Sequence, residues 1–219
     1  MKLIIFDMDG TILNTLDDIC NAVNVILKNH NMPTHTVDEV KYYVGNGLYK
    51  TLERAVPEGT AKEIVDEMFP EFIEYYKKNS DNCTRPYEKI VDAIKAVRAA
   101  GYKTAVASNK RQEAVEELCE KFFADCFDVI LGDREGINLK PAPDMVNIAL
   151  DTLGIDRADS LYIGDSDVDL LTAKNSEIPV IAVTWGFRGE EFLKEHGAEY
   201  ICKNPADIPD FIKKIEASL

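Results

Sequence analysis

The sequence LIIFDMDGT, residues 3–11, decides the fold of this chain. Its first four residues, Leu3 to Phe6, form an uninterrupted apolar run rich in β-branched side chains, which predicts a strand buried on both faces of a parallel sheet. Side chains alternate across an extended backbone, so Asp7 and Asp9 point to one side and Met8 to the other. Two carboxylates therefore converge where the strand ends, which favours a bound cation or a retained proton.

Taken alone, this stretch has a second interpretation. A D-x-D-G-T sequence is also typical of a strand that ends in a solvent-exposed acidic turn, because glycine permits a sharp turn and aspartate side chains bond to nearby backbone. The choice between a turn and a functional site therefore depends on the rest of the chain.

Composition limits the classes of protein to which the chain can belong. A chain of 219 residues can bury one sizeable core together with a small second unit. Its formal net charge of -14 disfavours nucleic acids and anionic membranes as partners, because every contact with either begins with repulsion. We expect no nucleic-acid partner and no membrane partner, and the sequence indicates no obligatory protein partner.

Cysteine usage and the first residues indicate the compartment. The five cysteines are spread along the chain without a C-x-x-C pair, a pattern typical of reduced thiols in the cytoplasm. The apolar run before Asp7 is too short for a signal peptide or a membrane span. We therefore expect a soluble cytoplasmic protein.

Residues 15–83 are predicted to be a small helical unit. Apolar residues recur three and four positions apart from Leu16 to about Asn29, and similar patterns follow over 36–43, 48–55 and about 60–79. Capping-box spacing marks two of these helix starts, with threonine at the N-cap and glutamate three residues later. The two threonines are Thr36 and Thr60.

From Pro86 onward the pattern changes, and helices alternate with short apolar strands. This alternation predicts a doubly wound parallel α/β sheet of Rossmann-like type, to which the first strand also belongs. The predicted core therefore comprises residues 1–14 and 84–219, with the helical unit of residues 15–83 inserted into it. The later strands are predicted at 103–107, 128–131, 160–163, 180–183 and 199–201.

Polar residues follow three of these later strands. Ligands of open parallel sheets bind at the carboxyl ends of the strands, so the residues that follow each strand are candidates for a site. Each residue taken singly is typical of a helix cap or a surface turn. Their common position at one edge of the sheet, beside the two aspartates of the first strand, instead predicts a functional site. They are Ser108 and Asn109 after the second strand of the sheet, Lys140 in the loop after the third, and Asp165 and Asp169 after the fourth.

The ordered set of these residues resembles the four motifs of the haloacid dehalogenase superfamily of phosphatases. The motifs are D-x-D-G-T at 7–11, Ser108-Asn109, Lys140-Pro141 and G-D-x-x-x-D at 164–169. The helical insertion after the first motif resembles the small helical cap of that family. Within the superfamily, the G-N-G sequence at 45–47 and Asp165-Ser166 are most similar to phosphoglycolate phosphatases.

The resemblance implies a two-step mechanism. Asp7 would attack the phosphorus in line and form an aspartyl phosphate. Asp9 would protonate the leaving oxygen and then accept a proton from the water that hydrolyses the intermediate, for which it must be partly protonated near neutral pH. Ser108, the amide of Asn109 and Lys140 would bind the phosphoryl oxygens.

The resemblance also implies Mg²⁺ as cofactor. The ion would be held by Asp7, by the backbone carbonyl of Asp9 and by Asp165, which are hard oxygen ligands of the kind it prefers. Asp169 would bind the ion through water, or it would orient the residues that bind the ion directly. Thr11 would add a hydroxyl to the substrate-binding groups.

The helical unit contributes further candidate substrate-binding residues. Gly45 and Gly47 would let a loop approach the substrate closely, although a flexible connection between helices has the same composition. Lys50 and Arg54 could recognise a second anionic group, although cations on helices are commonly only solvated.

These expectations together describe a Mg²⁺-dependent phosphatase that hydrolyses a small phosphorylated metabolite, with 2-phosphoglycolate as the favoured substrate. One alternative is a sugar phosphomutase of the same superfamily, similar to β-phosphoglucomutase, which returns the phosphoryl group to a bisphosphate intermediate. A second alternative, from another class, is a non-catalytic phospho-receiver or phosphate-binding protein.

Overall fold

The computed structural model describes residues 1–217 of the chain. It divides into two compact units, one of Met1–Leu13 with Pro86–Leu219 and one of Asn14–Arg85. The boundaries expected from the sequence, after residues 14 and 83, lie close to these divisions. The last two residues of the predicted core, 218 and 219, lie outside the described residues.

The first unit contains a six-stranded sheet in the order β5-β4-β1-β6-β7-β8. Every pair of neighbouring strands in it is parallel. The Rossmann-like α/β class is therefore confirmed. The strands of the chain are β1 (Leu3–Phe6), β2 (Leu13–Asn14), β3 (Arg85–Pro86), β4 (Lys103–Arg111), β5 (Val129–Asp133), β6 (Ser160–Gly164), β7 (Val180–Val183) and β8 (Tyr200–Cys202), of which β2 and β3 lie where the chain passes between the units.

Strand β1 is buried on both faces, as its apolar sequence predicts. Ile4 and Phe6 belong to one hydrophobic cluster, and Leu3 and Ile5 belong to the cluster on the other face of the sheet. All four side chains are fully buried. The alternation of an extended backbone thus lets one short strand serve two cores.

The second unit is helical, and one of its two predicted capping boxes is confirmed. Thr36 accepts a hydrogen bond from the Glu39 backbone nitrogen, and Glu39 accepts one from the backbone nitrogen of Thr36 at 2.7 Å. The prediction for Thr60 is wrong, because its hydroxyl donates to the carbonyl of Pro57 at 2.7 Å and the helix starts after Ala61. The helices are α1 (Leu16–Asn29), α2 (Val37–Val40), α3 (Leu48–Ala55) and α4 (Lys62–Asn79).

A buried aspartate forms hydrogen bonds that connect the end of the helical unit to its first helix. The carboxylate of Asp18, in the first turn of α1, accepts hydrogen bonds from the backbone nitrogens of Cys83 and Thr84 at distances of 2.8 to 3.0 Å. Because its carboxylate is hydrogen-bonded to backbone, burial of this charged group is tolerated.

Helices follow the strands of the first unit in the predicted alternation. The helix Asp144–Leu153 is followed by Gly154, which adopts the left-handed conformation at a φ of 63°. No helix among residues 1–217 combines the length and apolar character needed to cross a membrane. The helices are α5 (Ile90–Ala99), α6 (Gln112–Phe122), α7 (Asp144–Leu153), α8 (Asp167–Asn175), α9 (Glu190–Glu195) and α10 (Ile208–Glu216).

The five cysteines are all free thiols, as expected from their spacing. Four are buried, and Cys83 is exposed. Burial raises the pKa of Cys119 to about 12 and that of Cys202 to about 11. The buried thiols therefore act as small core residues rather than as nucleophiles.

Candidate active site

Sheet register places the end of β1 beside the matching positions of β4 and β6. Phe6, the last residue of β1, lies opposite Val106 of β4 and Ile163 of β6. The residues that follow these positions therefore emerge at one edge of the sheet. Asp7 continues the ladder, since its backbone nitrogen donates to the carbonyl of Ile163 at 2.9 Å. The position of Asp7 is thus fixed by the central strands and not by a loop.

Gly10 turns the chain away from the sheet immediately after the two aspartates. Its φ of 90° lies in the region that favours glycine, and a Cβ at this position would collide with the carboxylate of Asp165. Met8 is fully buried in the core. The turn therefore packs closely against the aspartate that follows β6.

Lys140 connects two of the predicted site aspartates. Its Nζ lies 2.6 Å from Oδ1 of Asp7, 2.8 Å from Oδ1 of Asp169 and 3.0 Å from the hydroxyl of Tyr162. Burial of Lys140 disfavours its charge, but the carboxylates of Asp169 and Asp7 outweigh that effect and raise its pKa. The ammonium therefore remains charged inside the unit.

Asp169 is saturated by protein donors. Its Oδ2 accepts hydrogen bonds from the Ser166 hydroxyl at 2.7 Å and from the backbone nitrogens of Ser166 and Asp165 at 3.1 and 3.2 Å. Its Oδ1 accepts from Lys140. These bonds include the capping box at the start of α8, so the helix start orients the carboxylate.

A third carboxylate completes a buried acidic cluster. One carboxylate oxygen from each of Asp7, Asp165 and Asp169 lies within 4.8 Å of the others. Burial and the Asp169 charge raise the pKa of Asp7 above its usual range and that of Asp165 to about 7. Lys140 contacts two of these three carboxylates, and the charge of Arg188 acts on the third, but burial and mutual repulsion still dominate the pKa values of Asp7 and Asp165. The donor set therefore fits a hard divalent cation, which would supply the missing positive charge.

The residues of the second motif support the loop of the third. The side chain of Asn109 accepts a hydrogen bond from the Lys140 backbone nitrogen at 2.7 Å and donates one to the Lys140 carbonyl at 3.0 Å. Ser108 is buried beside it, and its Oγ accepts from the backbone nitrogen of Lys110 at 3.2 Å. The side chain of Asn109 thus connects the second motif to the backbone of the third at Lys140.

The hydroxyl of Thr11 faces the acidic cluster. It donates to Oδ1 of Asp165 at 3.3 Å, and the side chain is fully buried. Oδ2 of Asp165 accepts from the backbone nitrogen of Phe187 at 2.6 Å. Two separate segments of the chain therefore orient this carboxylate.

The candidate residues of the helical unit lie on the segment before α3 and on α3 itself. Gly45 and Gly47 have φ values of 125° and 84°, which favour glycine whether or not a substrate approaches them. Gly47 is also the residue that precedes the helix. The backbone geometry alone thus explains both glycines.

The two cations of this unit that are candidate substrate-binding residues have partners within it. Lys50 forms an exposed ion pair with Glu53. The guanidinium of Arg54 donates to the carbonyl of Tyr43 at 2.9 Å and to Oδ1 of Asn46 at 2.7 Å. Arg54 therefore holds the glycine-containing segment, and the substrate role of both cations stays a prediction.

Sequence reasoning missed two buried polar residues of the site. The side chain of Lys110 lies 3.0 Å from Oδ1 of Asp9, so Asp9 faces a cation and lies apart from the acidic cluster. The hydroxyl of Tyr162 contacts Lys140 and donates to the carbonyl of Ala107 at 3.2 Å. Two signals pointed to them: Lys110 is two residues after Ser108 on a strand, and a tyrosine within a buried apolar strand needs a partner for its hydroxyl.

The segment after β7 packs against the first motif. The indole nitrogen of Trp185 donates to the carbonyl of Thr11 at 2.9 Å. A Cβ on Gly186 would collide with the carbonyl of Gly10, so the two turns are in close contact. This segment therefore contacts the first motif, and the backbone nitrogen of Phe187 donates a hydrogen bond to Asp165.

Comparison with known proteins identifies similar chains. A profile of the family described as haloacid dehalogenase-like hydrolase matches residues 4–183. The phosphoglycolate phosphatase of Psychrobacter arcticus is 31% identical over 202 residues, which cover 89% of this chain and 88% of that protein. The pyrophosphatase PpaX of Halalkalibacterium halodurans is 25% identical over 213 residues, which cover 97% of each.

A solved structure resembles this one throughout. The crystal structure of a candidate phosphoglycolate phosphatase from Lactobacillus delbrueckii subsp. bulgaricus superposes with a TM-score of 0.92 and 36% identity. The alignment covers 96% of this chain and 98% of that one. The similarity therefore extends over both units.

Proposed function

Because this chain belongs to the haloacid dehalogenase-like hydrolase family, we propose that it is a Mg²⁺-dependent phosphatase that transfers the phosphoryl group of a small metabolite to Asp7 and then to water. The observation that carries the proposal is the contact of the Lys140 ammonium with both Asp7 and Asp169, at 2.6 and 2.8 Å. It places a fixed cation beside a buried carboxylate at the carboxyl edge of the sheet. This arrangement suits the binding of a phosphate dianion next to a nucleophile.

Asp7 is the proposed nucleophile. Its Oδ1 is held by Lys140, which leaves Oδ2 to attack the phosphorus. A bond forms between this oxygen and phosphorus while the bond to the leaving oxygen breaks, and the aspartyl phosphate divides one difficult displacement into two easier ones. Lys140, the hydroxyl of Ser108 and the backbone amide of Asn109 bind the phosphoryl oxygens as negative charge develops on them.

Asp9 is the proposed acid and base. It gives a proton to the leaving oxygen in the first step and takes one from the attacking water in the second. Its carboxylate lies two residues beyond the nucleophile and apart from the acidic cluster. The nucleophile and the proton donor are thus separate groups on one turn.

The buried acidic cluster is the proposed Mg²⁺ site. Asp7, Asp165 and the backbone carbonyl of Asp9 would hold the ion, and Asp169 would act through water because its carboxylate is saturated by protein donors. When bound, Mg²⁺ supplies the positive charge that allows a carboxylate to approach a phosphate dianion. Thr11 orients Asp165 through its hydroxyl.

The favoured substrate is 2-phosphoglycolate, and the protein acts on it in the cytoplasm. A curated relative that is 31% identical and a solved structure that is 36% identical to this chain, both described as phosphoglycolate phosphatases, support this choice. Inorganic pyrophosphate is a second candidate, because a relative that matches nearly the whole chain is a pyrophosphatase. The helical unit would act as a cap that contributes Gly45, Gly47, Lys50 and Arg54 to substrate recognition.

A panel of phosphate esters assayed with Mg²⁺ tests the proposal. We expect the highest kcat/KM for 2-phosphoglycolate, lower values for pyrophosphate and sugar phosphates, and release of inorganic phosphate without any bisphosphate activator. A requirement for a sugar bisphosphate would instead indicate a phosphomutase. Binding of phosphate without turnover of any ester would indicate a phospho-receiver or phosphate-binding protein.

A further inference from the structure

We propose that Lys110 is a positioning residue that fixes the carboxylate of Asp9 for proton transfer. The inference rests on the proposed function, in which Asp9 is the acid and base. The Lys110 ammonium lies 3.0 Å from Oδ1 of Asp9, which leaves Oδ2 to exchange the proton with the leaving oxygen and then with water. Lys110 would thus act on catalysis through Asp9.

The strand that carries Ser108 also delivers Lys110. Strand β4 continues to Arg111, with an irregular register between Ala107 and Arg111. Residues two apart on an extended strand face the same side, so Ser108 and Lys110 point together, and both are buried. Arg111 points away and forms an exposed pair with Asp133. The Ser108 hydroxyl and the Lys110 ammonium therefore lie on the same side of β4, toward the site.

Burial makes the pairing of Lys110 with Asp9 strong. Lys110 is only 3% exposed, and an ammonium inside a protein requires an opposing charge. Oδ1 of Asp9 is also buried, and among the described residues it accepts no hydrogen bond of good geometry. The positive charge of Lys110 is therefore what compensates this oxygen.

The two buried lysines of the site serve different aspartates. Lys140 contacts the nucleophile and Asp169, whereas Lys110 contacts the acid and base. Loss of Lys110 would leave the Lys140 contacts in place. The nucleophilic attack and the proton transfer are thus supported by separate cations, which allows their effects to be separated by kinetics.

The two half-reactions depend on Asp9 to different extents for different esters. In the first, a bond forms between Asp7 and phosphorus, the bond to the leaving oxygen breaks, and Asp9 gives its proton to that oxygen. A nitrophenolate leaves with little help from an acid, whereas an alkoxide needs the proton. In the second half-reaction, water attacks phosphorus, Asp7 leaves as carboxylate and the water proton passes to Asp9. This second step needs Asp9 as a base for every ester, because the leaving group has already departed.

A poorly positioned Asp9 would therefore produce a specific kinetic pattern. Formation of the aspartyl phosphate from 4-nitrophenyl phosphate would change little, while its hydrolysis would slow. The phosphoenzyme would then accumulate, and nitrophenol would appear in a burst. A general loss of structure would slow both steps alike.

The experiment compares Lys110→Met and Lys110→Arg with the wild type by rapid-quench kinetics in Mg²⁺. For Lys110→Met we expect steady-state kcat for an alkyl phosphate to fall about 10²-fold, with a burst of nitrophenol and acid-stable phosphoprotein from the aryl ester. Lys110→Arg keeps the charge and should recover part of the rate. Arg111→Gln, the neighbour on the same strand, is the matched control and should stay within about twofold of the wild type.

Three outcomes would overturn the role of Lys110: equal losses in both half-reactions, a change in KM alone, or wild-type kinetics in Lys110→Met. If circular dichroism shows that Lys110→Met does not fold, Lys110→Gln replaces it under the same criteria. Absence of a trapped phosphoenzyme in the wild type, even after quenching during rapid turnover, would instead contradict the proposed function.

Discussion

The ammonium nitrogen of Lys140 lies 2.6 Å from Oδ1 of Asp7, although 133 positions of sequence separate the two residues. Both side chains are buried, and the contact joins the first strand of the sheet to the loop after β5. An isolated buried carboxylate would keep its proton and be a poor nucleophile. The contact with Lys140 favours the ionised form that can attack phosphorus.

The hydroxyl of Tyr162 supports this ion pair, and its removal should weaken the site. Tyr162→Phe removes only the hydroxyl, which contacts Lys140, the Ala107 carbonyl and Oδ1 of Asp169. We expect a loss of about 1 kcal/mol in the free energy of unfolding, because three buried partners lose a contact with the hydroxyl. Urea unfolding at neutral pH measures it. Tyr75→Phe, in the helical unit, is the control, and an equal loss there would contradict the role of the Tyr162 hydroxyl.

Asp9→Asn should slow both half-reactions. An amide cannot give a proton to the leaving oxygen or take one from water, so kcat for an alkyl phosphate should fall by about 10² to 10⁴-fold. The Lys110 side chain would lose its opposing charge in this variant, so thermal unfolding is followed in parallel. Unchanged turnover in a folded Asp9→Asn protein would remove the acid and base assignment.

Mg²⁺ should stabilise the native protein through the acidic cluster. An ion that binds only the folded state raises the free energy of unfolding by about 2.7 kcal/mol at a hundredfold excess over its Kd. We expect a rise in Tm with Mg²⁺ that chelation reverses, together with loss of activity in the chelator.

Two variants localise that effect. Asp165→Asn removes a member of the cluster and should abolish the rise in Tm, whereas Asp151→Asn, on the exposed face of α7, should keep it. An undiminished rise in Asp165→Asn would place the ion elsewhere.

A different aspartate should govern acid stability. Burial of Asp128 opposes its charge, but hydrogen bonds from Lys103, from the Thr104 backbone and from Arg98 outweigh it and lower its pKa from 3.8 to about 2. Because the pKa is lower in the folded state, the stabilisation is fully present above the unfolded pKa and is lost as the pH falls from about 4 to about 2.

Comparison of the wild type with Asp128→Asn measures this effect. The difference in the free energy of unfolding should stay constant between pH 5 and 7 and shrink by about 2 kcal/mol as the pH falls through that window. Asp133→Asn, whose partner Arg111 is exposed, is the control and should show a smaller change. A difference that does not depend on pH would contradict the assignment.

The sequence predicted the sheet and the main site residues because both depend on local patterns. The apolar run of β1 and the alternation of helices and strands determine the parallel sheet, and the carboxyl ends of its strands bring Ser108, Lys140 and Asp165 to one edge. The order of the motifs along the chain then identifies their chemistry.

Features that depend on tertiary contacts could not be predicted in this way. A lysine near the end of a strand is typically a surface residue, and only the tertiary contact with Asp9 identifies Lys110 as part of the site. The start of α4 was misplaced because the Thr60 hydroxyl bonds to the preceding turn and not to the helix. The bond of Trp185 to Thr11 joins residues 174 positions apart, which no local pattern reveals.

Mapping of the trapped phosphoryl group tests the central claim most directly. The wild type is mixed with substrate and Mg²⁺, quenched in acid during turnover, digested and analysed by mass spectrometry. We predict one phosphorylated peptide that contains residues 3–11, with the modification on Asp7 and no modification in folded Asp7→Asn. A phosphoryl group on another residue, or sustained turnover by Asp7→Asn, would contradict the account.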